Sequence, residues 1–328
     1  MKEFDLIEQI VSILGEQASG EWVSVGPGDD CSVISVSANC EVVSSIDSLY
    51  SGVHFPEAAP AELVGYRSMM VSLSDIAAMG AEARYVLINL CLPMEGFAWA
   101  LECTQGIKRA ARDSGIFVCG GNIARGPLGI TVSAHGEVPK GKSILRNGAR
   151  VGDSIFVSGP LGGAASYIRQ ISDLTDESPH YELLRKAFYE PSSCLDLYSE
   201  VRHKATSCID VSDGLIQDLG HILDSSEVGG RLSSSLIPVN DGALLNDALF
   251  GGDDYQLICT SPNEMEGFYL IGEITKESGI LVDDKEYWAE VTIIFSVNFN
   301  SLKDPRIFWL SLFGLGLIKP SPGPVASE

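Results

Sequence analysis

Asp75 sits in the stretch Met-Met-Val-Ser-Leu-Ser-Asp-Ile-Ala-Ala-Met-Gly-Ala (residues 69–81), which is otherwise apolar or small and contains no Lys, Arg or His. An ionised carboxylate in such a setting has to be capped, paired or coordinated. Either Asp75 N-caps a short turn over 76–79 or it ligates a metal. Similar acids recur beside Gly, Ser or strand-like patterns: Asp29 and Asp30, Asp47, Asp210 and Asp213, Asp253 and Asp254. Hard oxygen donors of this kind suit Mg²⁺.

Each of these acids has a local setting that can present it. The run Val25-Gly-Pro-Gly-Asp-Asp-Cys is a glycine-rich turn entering a strand, which offers Asp29 and Asp30 to a cation or to solvent. A strand over 41–49 places Ser45 and Asp47 on one face, by the two-residue period of extended chain. His54, in the turn Gly52-Val-His-Phe, either reaches an anionic substrate or is structural. Around Ile209-Asp-Val-Ser-Asp-Gly-Leu a strand delivers Asp210, Ser212 and Asp213 to the start of a helix, where free N–H groups favour anions. Two acids and a Ser within four residues exceed what a cap needs. The strand beginning at Ile116 ends in Gly120 and Gly121, which let a phosphate or ribose come close to the backbone. Gly159-Pro-Leu-Gly-Gly opens another helix and is a weaker phosphate cradle, since it is neither a Walker loop nor a Rossmann fingerprint.

The elements that must position these groups alternate along the chain. Helical spacing over 4–14 ends at Gly15; a helix from Pro60 leads into the Asp75 turn; a β-rich run spans 84–92; an amphipathic helix spans 97–114; and strands follow at 116–123 and 131–138. After Gly148-Ala-Arg-Val-Gly-Asp, which reads as a domain boundary, come a strand at 154–158, helices from 164, 181–187 and 194–203, and a helix from Asp213 to 225. This pattern describes α/β or α+β domains. With 328 residues and 45% hydrophobic content the chain is long enough for two globular domains. Its 44 Asp and Glu against 22 Lys and Arg give a net charge of -22, which excludes nucleic acid as a partner. The eight Cys lie singly without a CxxC pair, and nothing at the Met1 end reads as a secretory signal. They are expected to be reduced core residues of a cytoplasmic protein.

Six motifs taken together resemble the thiamine-monophosphate kinase family: Gly28-Asp-Asp; Ser45-Ile-Asp-Ser-Leu with Gly52-Val-His-Phe; Leu73-Ser-Asp-Ile-Ala-Ala-Met-Gly-Ala; Gly120-Gly-Asn with Arg125-Gly; Ile209-Asp-Val-Ser-Asp-Gly-Leu with Asp218-Leu-Gly-His-Ile; and Gly251-Gly-Asp-Asp-Tyr. The resemblance covers residues 1 to about 290 and implies the α+β, two-domain fold of aminoimidazole ribonucleotide synthetase. Its N-terminal metal- and ATP-binding domain (1–149) would form a homodimer through its sheet, followed by a C-terminal α+β domain (150–292). It also implies ATP-dependent phosphorylation of thiamine monophosphate to thiamine diphosphate. By resemblance, several Mg²⁺ ions would be held by Asp30, Ser45, Ile46, Asp47, Asp75, Asn122, Asp210 and Asp213. Gln105, Gly121, Asn122, Arg146 and Ser212 would meet ATP, and His54 and Asp253 the thiamine substrate. The transfer would be direct, with no covalent enzyme intermediate.

The chain departs from the family pattern at four of these positions. Asn122 replaces an Asp and keeps only a carbonyl oxygen. Ile46 replaces a Thr and leaves a backbone carbonyl. Gln105 replaces an aromatic residue and forfeits stacking on adenine, and Asp253 is one methylene shorter than the usual Glu. The aromatic segment that closes the family's thiamine site has no counterpart after Trp288. Instead the hydrophobic tail 293–328 resembles the opening of phosphatidylglycerophosphatase A, with an apolar run over 307–318 that is shorter than the roughly 20 residues a membrane-spanning helix needs. Two other functions fit the same motifs: another ATP-using enzyme of the superfamily, or a degenerate kinase that only binds nucleotide or thiamine phosphate.

Overall fold

The computed structural model describes residues 3–172, 174–175 and 177–287. The tail 293–328 and its resemblance to a membrane phosphatase lie outside these residues. Helix α1 (Glu3–Leu14) and a small antiparallel pair, β1 (Val23–Val25) and β2 (Val33–Ile34), lead into β3 (Cys40–Tyr50). Then come α2 (Ala61–Ala78), β4 (Glu82–Leu92), α3 (Phe97–Ser114), β5 (Phe117–Arg125) and β6 (Gly129–Pro139). The strands form a four-stranded sheet in the order β3-β6-β4-β5, antiparallel except for the β4–β5 pair, which α3 connects as a parallel crossover.

The second half contains β7 (Ser154–Val157), α4 (Gly163–Gln170), α5 (Tyr181–Tyr189), α6 (Tyr198–Lys204), β8 (Ser207–Asp210), α7 (Leu215–Ser226) and β9 (Gly229–Leu232). It ends with α8 (Leu245–Phe250), β10 (Leu257–Ser261), β11 (Tyr269–Thr275), β12 (Gly279–Val282) and β13 (Lys285–Tyr287). Its seven-stranded sheet runs β13-β12-β9-β11-β7-β10-β8, antiparallel apart from β9–β12. The fold is α+β, as expected.

Helix α2 holds these parts together. A helix that is apolar or small on every side is stable only when surrounded, and α2 is buried from Val64 to Ala78 with few interruptions. One side packs Val64, Leu73 and Ile76 with Val86, Leu90, Ile130 and Val132 of the four-stranded sheet. Its end, Ala77 and Ala78, packs with Phe156, Cys208, Leu257 and Cys259 of the other sheet. It also crosses α3 at backbone contact: a Cβ on Gly106 would lie 1.7 Å from the Glu62 carbonyl oxygen, and one on Gly65 2.1 Å from that of Cys103. Further along the chain, a separate core sets Leu215, Leu219 and Ile222 of α7 against Ile155, Ile258 and Ile271.

Two local expectations are corrected. The helix from Pro60 does not stop before Asp75 but runs through it to Ala78, so Asp75 caps no turn; its own carbonyl accepts the Met79 N–H. Small side chains let this last turn lie flush against both sheets. Cys31 is exposed and Cys40 and Cys91 are half-buried, so only Cys103, Cys119, Cys194, Cys208 and Cys259 are core residues; all eight are free. Among the described residues, no helix is long and apolar enough to cross a membrane.

Candidate active site

Strand β3 and helix α2 bring the first carboxylates together. Ser45 and Asp47 share the face of β3 that packs on α2, while the Ile46 side chain points the other way and is 67% exposed. The Ser45 hydroxyl donates to Asp75 Oδ2. Asp47 Oδ2 is buried and has no partner. Burial, reinforced by the Asp75 charge and opposed by the Ser72 hydroxyl, pushes Asp47 up to about 6. Asp75 is raised by burial, with the Ser45 hydroxyl and the Arg146 guanidinium pulling the other way.

The row continues into the second half of the chain. Asp210 ends β8 at 6% exposure, and the Ser74 hydroxyl donates to its Oδ2. Burial first, and then the Asp75 charge, push Asp210 up to about 8. Asp218, in the first turn of α7, accepts the N–H groups of Asp213 (2.9 Å) and Gly214 (3.0 Å) on Oδ2 and is pushed up to about 7, mainly by burial. Asp218 thus reaches back to the loop entering α7, whose N-cap Gly214 has no side-chain cap, so Asp213 does not cap the helix; among the described residues Asp213 Oδ2 takes the Gln217 side-chain amide, at 2.9 Å. Ligand atoms of Asp213, Asp218 and His221 lie within 4.8 Å of one another. Arg146 is exposed and near enough to bear on both Asp75 and His221.

A second group lies on the loop before β10. Asp253 forms a 2.7 Å ion pair with the buried Arg67 of α2 and accepts the Tyr255 hydroxyl at 2.9 Å. Its N–H donates to the Ser212 carbonyl, 2.9 Å, so this loop lies directly against the one carrying Asp210 and Asp213. His54 accepts the Tyr50 N–H on Nδ1 at 3.0 Å, which leaves Nε2 to carry the proton. Its pKa is lowered by burial of the ring, against the pull of Asp253 and with the push of Arg67.

The expected nucleotide residues are placed less closely. Gly121 lacks a side chain for a structural reason: a Cβ there would lie 1.9 Å from the Ile88 carbonyl oxygen on β4. Asn122 Nδ2 donates to Asn89 Oδ1 across the same strand pair, 2.8 Å. Among the described residues, no hydrogen bond or ion pair joins Asp30 or Gln105 to the acid row; Asp30 takes only the Asp29 carboxylate on its N–H, and Gln105 is exposed on α3. The loop before α4 is filled from within the chain: Asp254 Oδ2 accepts the Gly162 N–H at 2.7 Å and is bonded by Gly163 and Ala164 as well.

Sequence reasoning left Ser74, Asn89, Asp218, His221, Arg67 and Tyr255 without roles. Asp218 and His221 were visible in their motif, and a lone Arg in an otherwise apolar helix was the signal for Arg67.

The donor set consists of hard oxygens, and the Asp47–Asp75–Asp210 stretch gathers three half-buried or buried carboxylates beside one exposed guanidinium, that of Arg146. The unpartnered Asp47 Oδ2 asks for an ion, since buried carboxylate oxygens are otherwise satisfied. The residues therefore fit divalent magnesium bound beside a phosphate chain.

The comparisons with known proteins agree with this chemistry. Residues 28–138 match the family of the AIR synthase related protein, N-terminal domain, and residues 150–284 that of its C-terminal domain. The thiamine-monophosphate kinase of Escherichia coli (strain K12) is 35% identical over 260 residues, 75% of this chain and 78% of the relative. The crystal structure of thiamine-monophosphate kinase from Stenotrophomonas maltophilia K279a superposes with a TM-score of 0.79 at 32% identity, covering 88% of this chain and 98% of that one. AaThiL complexed with AMPPCP and TMP superposes with a TM-score of 0.72 at 29% identity, over 87% and 94% of the two chains.

Proposed function

We propose, from the premise that this chain belongs to the thiamine-monophosphate kinase family, that its acid row phosphorylates thiamine monophosphate with ATP. The observation that carries the proposal is the line of carboxylates, half-buried Asp47 and Asp75 and buried Asp210, with one buried oxygen of Asp47 left without a donor. The solved relative AaThiL, complexed with AMPPCP and TMP, supports ATP and thiamine monophosphate as the two substrates.

Asp30, Ser45, the Ile46 carbonyl, Asp47, Asp75, the Asn122 carbonyl, Asp210 and Asp213 are the residues that would hold magnesium. When bound, Mg²⁺ supplies the charge neutralisation that two phosphate-bearing substrates need and fixes them for in-line transfer. Ser45 and Ser74 orient Asp75 and Asp210 by hydrogen bonding. Arg146 offers an exposed guanidinium beside the row and suits an ATP phosphate. Gln105, Gly121, Asn122 and Ser212 complete the nucleotide side. His54, neutral and donating from Nε2, suits the phosphate oxygens of thiamine monophosphate, and Asp253 suits its cationic or amine-bearing part. A phosphate oxygen of thiamine monophosphate attacks the γ-phosphorus of ATP; the new P–O bond forms as the bond to the β-phosphate oxygen breaks, and ADP leaves. No side chain is phosphorylated along the way.

We assign residues 1–149 to the metal and nucleotide domain and 150–292 to its C-terminal partner. Val42 and Ile46, exposed on the face of β3 away from α2, support a homodimer through the four-stranded sheet. A cytoplasmic location agrees with the eight free cysteines. A coupled ADP-release assay with thiamine monophosphate, ATP and MgCl₂ tests the function. ADP formation that depends on thiamine monophosphate and on Mg²⁺ is expected; its absence overturns the proposal.

A further inference from the structure

Arg67 is the largest fully buried side chain of the molecule's described part, at 1% exposure, and it lies beneath an acid whose side chain is 40% exposed. Its Nη1 donates to the Phe188 carbonyl at 2.5 Å, its Nη2 pairs with Asp253 Oδ1 at 2.7 Å, and its plane lies over the Phe188 ring, 4.1 Å from the centroid. Nε is left without a partner. Burying a guanidinium at this cost does not serve packing, because an apolar side chain of similar volume would fill the space without desolvating a charge. What the guanidinium gains is a fixed hold on one carboxylate oxygen.

The same oxygen is held a second time. Tyr255 donates its hydroxyl to Asp253 Oδ1 at 2.9 Å, and among the described residues no donor reaches Oδ2. Asp253 and Tyr255 both take left-handed conformations, φ +68° and +52°; an Asp tolerates this region, but an aromatic residue such as Tyr255 adopts it only when its surroundings impose it. The N–H groups of these residues are tied to the carbonyls of Ser212 and Val211. Asp253 is thereby locked in direction, with one oxygen occupied and its side chain still 40% exposed and near enough to His54 to bear on that ring's charge.

We infer that Arg67, with Tyr255 as its second donor, is a positioning residue for thiamine monophosphate: it aims Asp253 Oδ2 at the nitrogen-bearing part of the substrate and has no part in binding ATP. The inference rests on the kinase reading above. It also accounts for the short acid at 253, whose missing methylene is offset by a rigid mount. Arg67 and Asp75 share α2 eight residues apart, about 12 Å along the axis, so one buried helix carries both the metal row and the mount of the substrate acid.

Steady-state kinetics of Arg67→Lys and Tyr255→Phe, each against both substrates, test the assignment. Loss of one charge-assisted contact should raise KM for thiamine monophosphate about tenfold in Arg67→Lys. A smaller rise in the same direction is expected in Tyr255→Phe, with KM for ATP within about twofold and kcat nearly unchanged in both, as lost ground-state positioning requires. Equal rises for both substrates, or a lowered melting midpoint with neither KM changed, would assign Arg67 to structure alone and overturn the inference. If Arg67→Lys does not fold, Tyr255→Phe decides by the same criterion. Failure of the unmodified protein to bind thiamine monophosphate by calorimetry would overturn the kinase reading and this inference with it, whereas binding with no split between the KM values overturns only the inference.

Discussion

Ser74 Oγ is hydrogen-bonded to Asp210 Oδ2 and lies 2.9 Å from the Val71 carbonyl oxygen as well. A hydroxyl has one proton to give, so Ser74 shares it between the Asp210 carboxylate and the Val71 carbonyl. The bond from Ser74 opposes the upward shift of Asp210, whose first cause is burial. The pair ties a helix of the first half to a strand of the second.

In the metal-free protein, the stability of the acid row should fall as pH rises. Asp47, Asp218 and Asp210 are raised from an ordinary 3.8 to about 6, 7 and 8, so between about pH 4 and 8 the folded state binds more protons than the unfolded chain. The melting midpoint of EDTA-treated protein should drop by about 5 °C or more from pH 5 to pH 8. Added MgCl₂ should restore it at pH 8 and do little at pH 5. A midpoint that stays flat or rises with pH would show that the acids are ionised and satisfied by the protein alone.

Asp75→Asn should leave the fold intact and remove turnover. The amide keeps the shape of the side chain and its contact with Ser45 but not the charge between Asp47 and Asp210. Loss of several kcal/mol of charge stabilisation corresponds to about a thousandfold in kcat. Turnover within tenfold of the unmodified protein would remove Asp75 from the metal assignment.

Asn122→Asp should lower the Mg²⁺ concentration needed for half-maximal rate. Asn122 now gives its amide protons to Asn89 and has a neutral oxygen left for a cation, whereas a carboxylate would bring a charge, with the Asn89 amide free to turn and donate to it. An unchanged or higher requirement, read from a magnesium titration, would mean that another group already supplies that charge.

Asp254→Ala should cost stability rather than nucleotide affinity. The carboxylate satisfies the backbone N–H groups at the start of α4, and orphaning them costs about 1–3 kcal/mol. The melting midpoint should fall by several degrees with KM for ATP unchanged. A raised KM for ATP at an unchanged midpoint would return the loop before α4 to the phosphate-binding site.

The acids themselves were legible in the chain, because a carboxylate among apolar and small residues at 69–81, or at the junction of strand and helix at 210–213, violates the ordinary partition of charge and has to be explained chemically. The two-residue period of β3 was enough to set Ser45 and Asp47 on one face and Ile46 on the other. Local pattern did not decide that α2 runs unbroken through Asp75, since what keeps that last turn helical is its burial against both sheets. Nor did it reveal the duties of Asp218, Asp254 and Arg67. Asp254 and Arg67 are each defined by a partner brought close only by the fold, the loop before α4 and Asp253, 186 positions from Arg67 along the chain, whereas Asp218 acts on the 213–214 backbone four and five residues back and needed only the turn geometry. Composition and spacing determine which residues are costly to bury, but only tertiary packing selects which partner offsets that cost, because hydrogen bonds and ion pairs act over a few ångströms of space and not along the sequence.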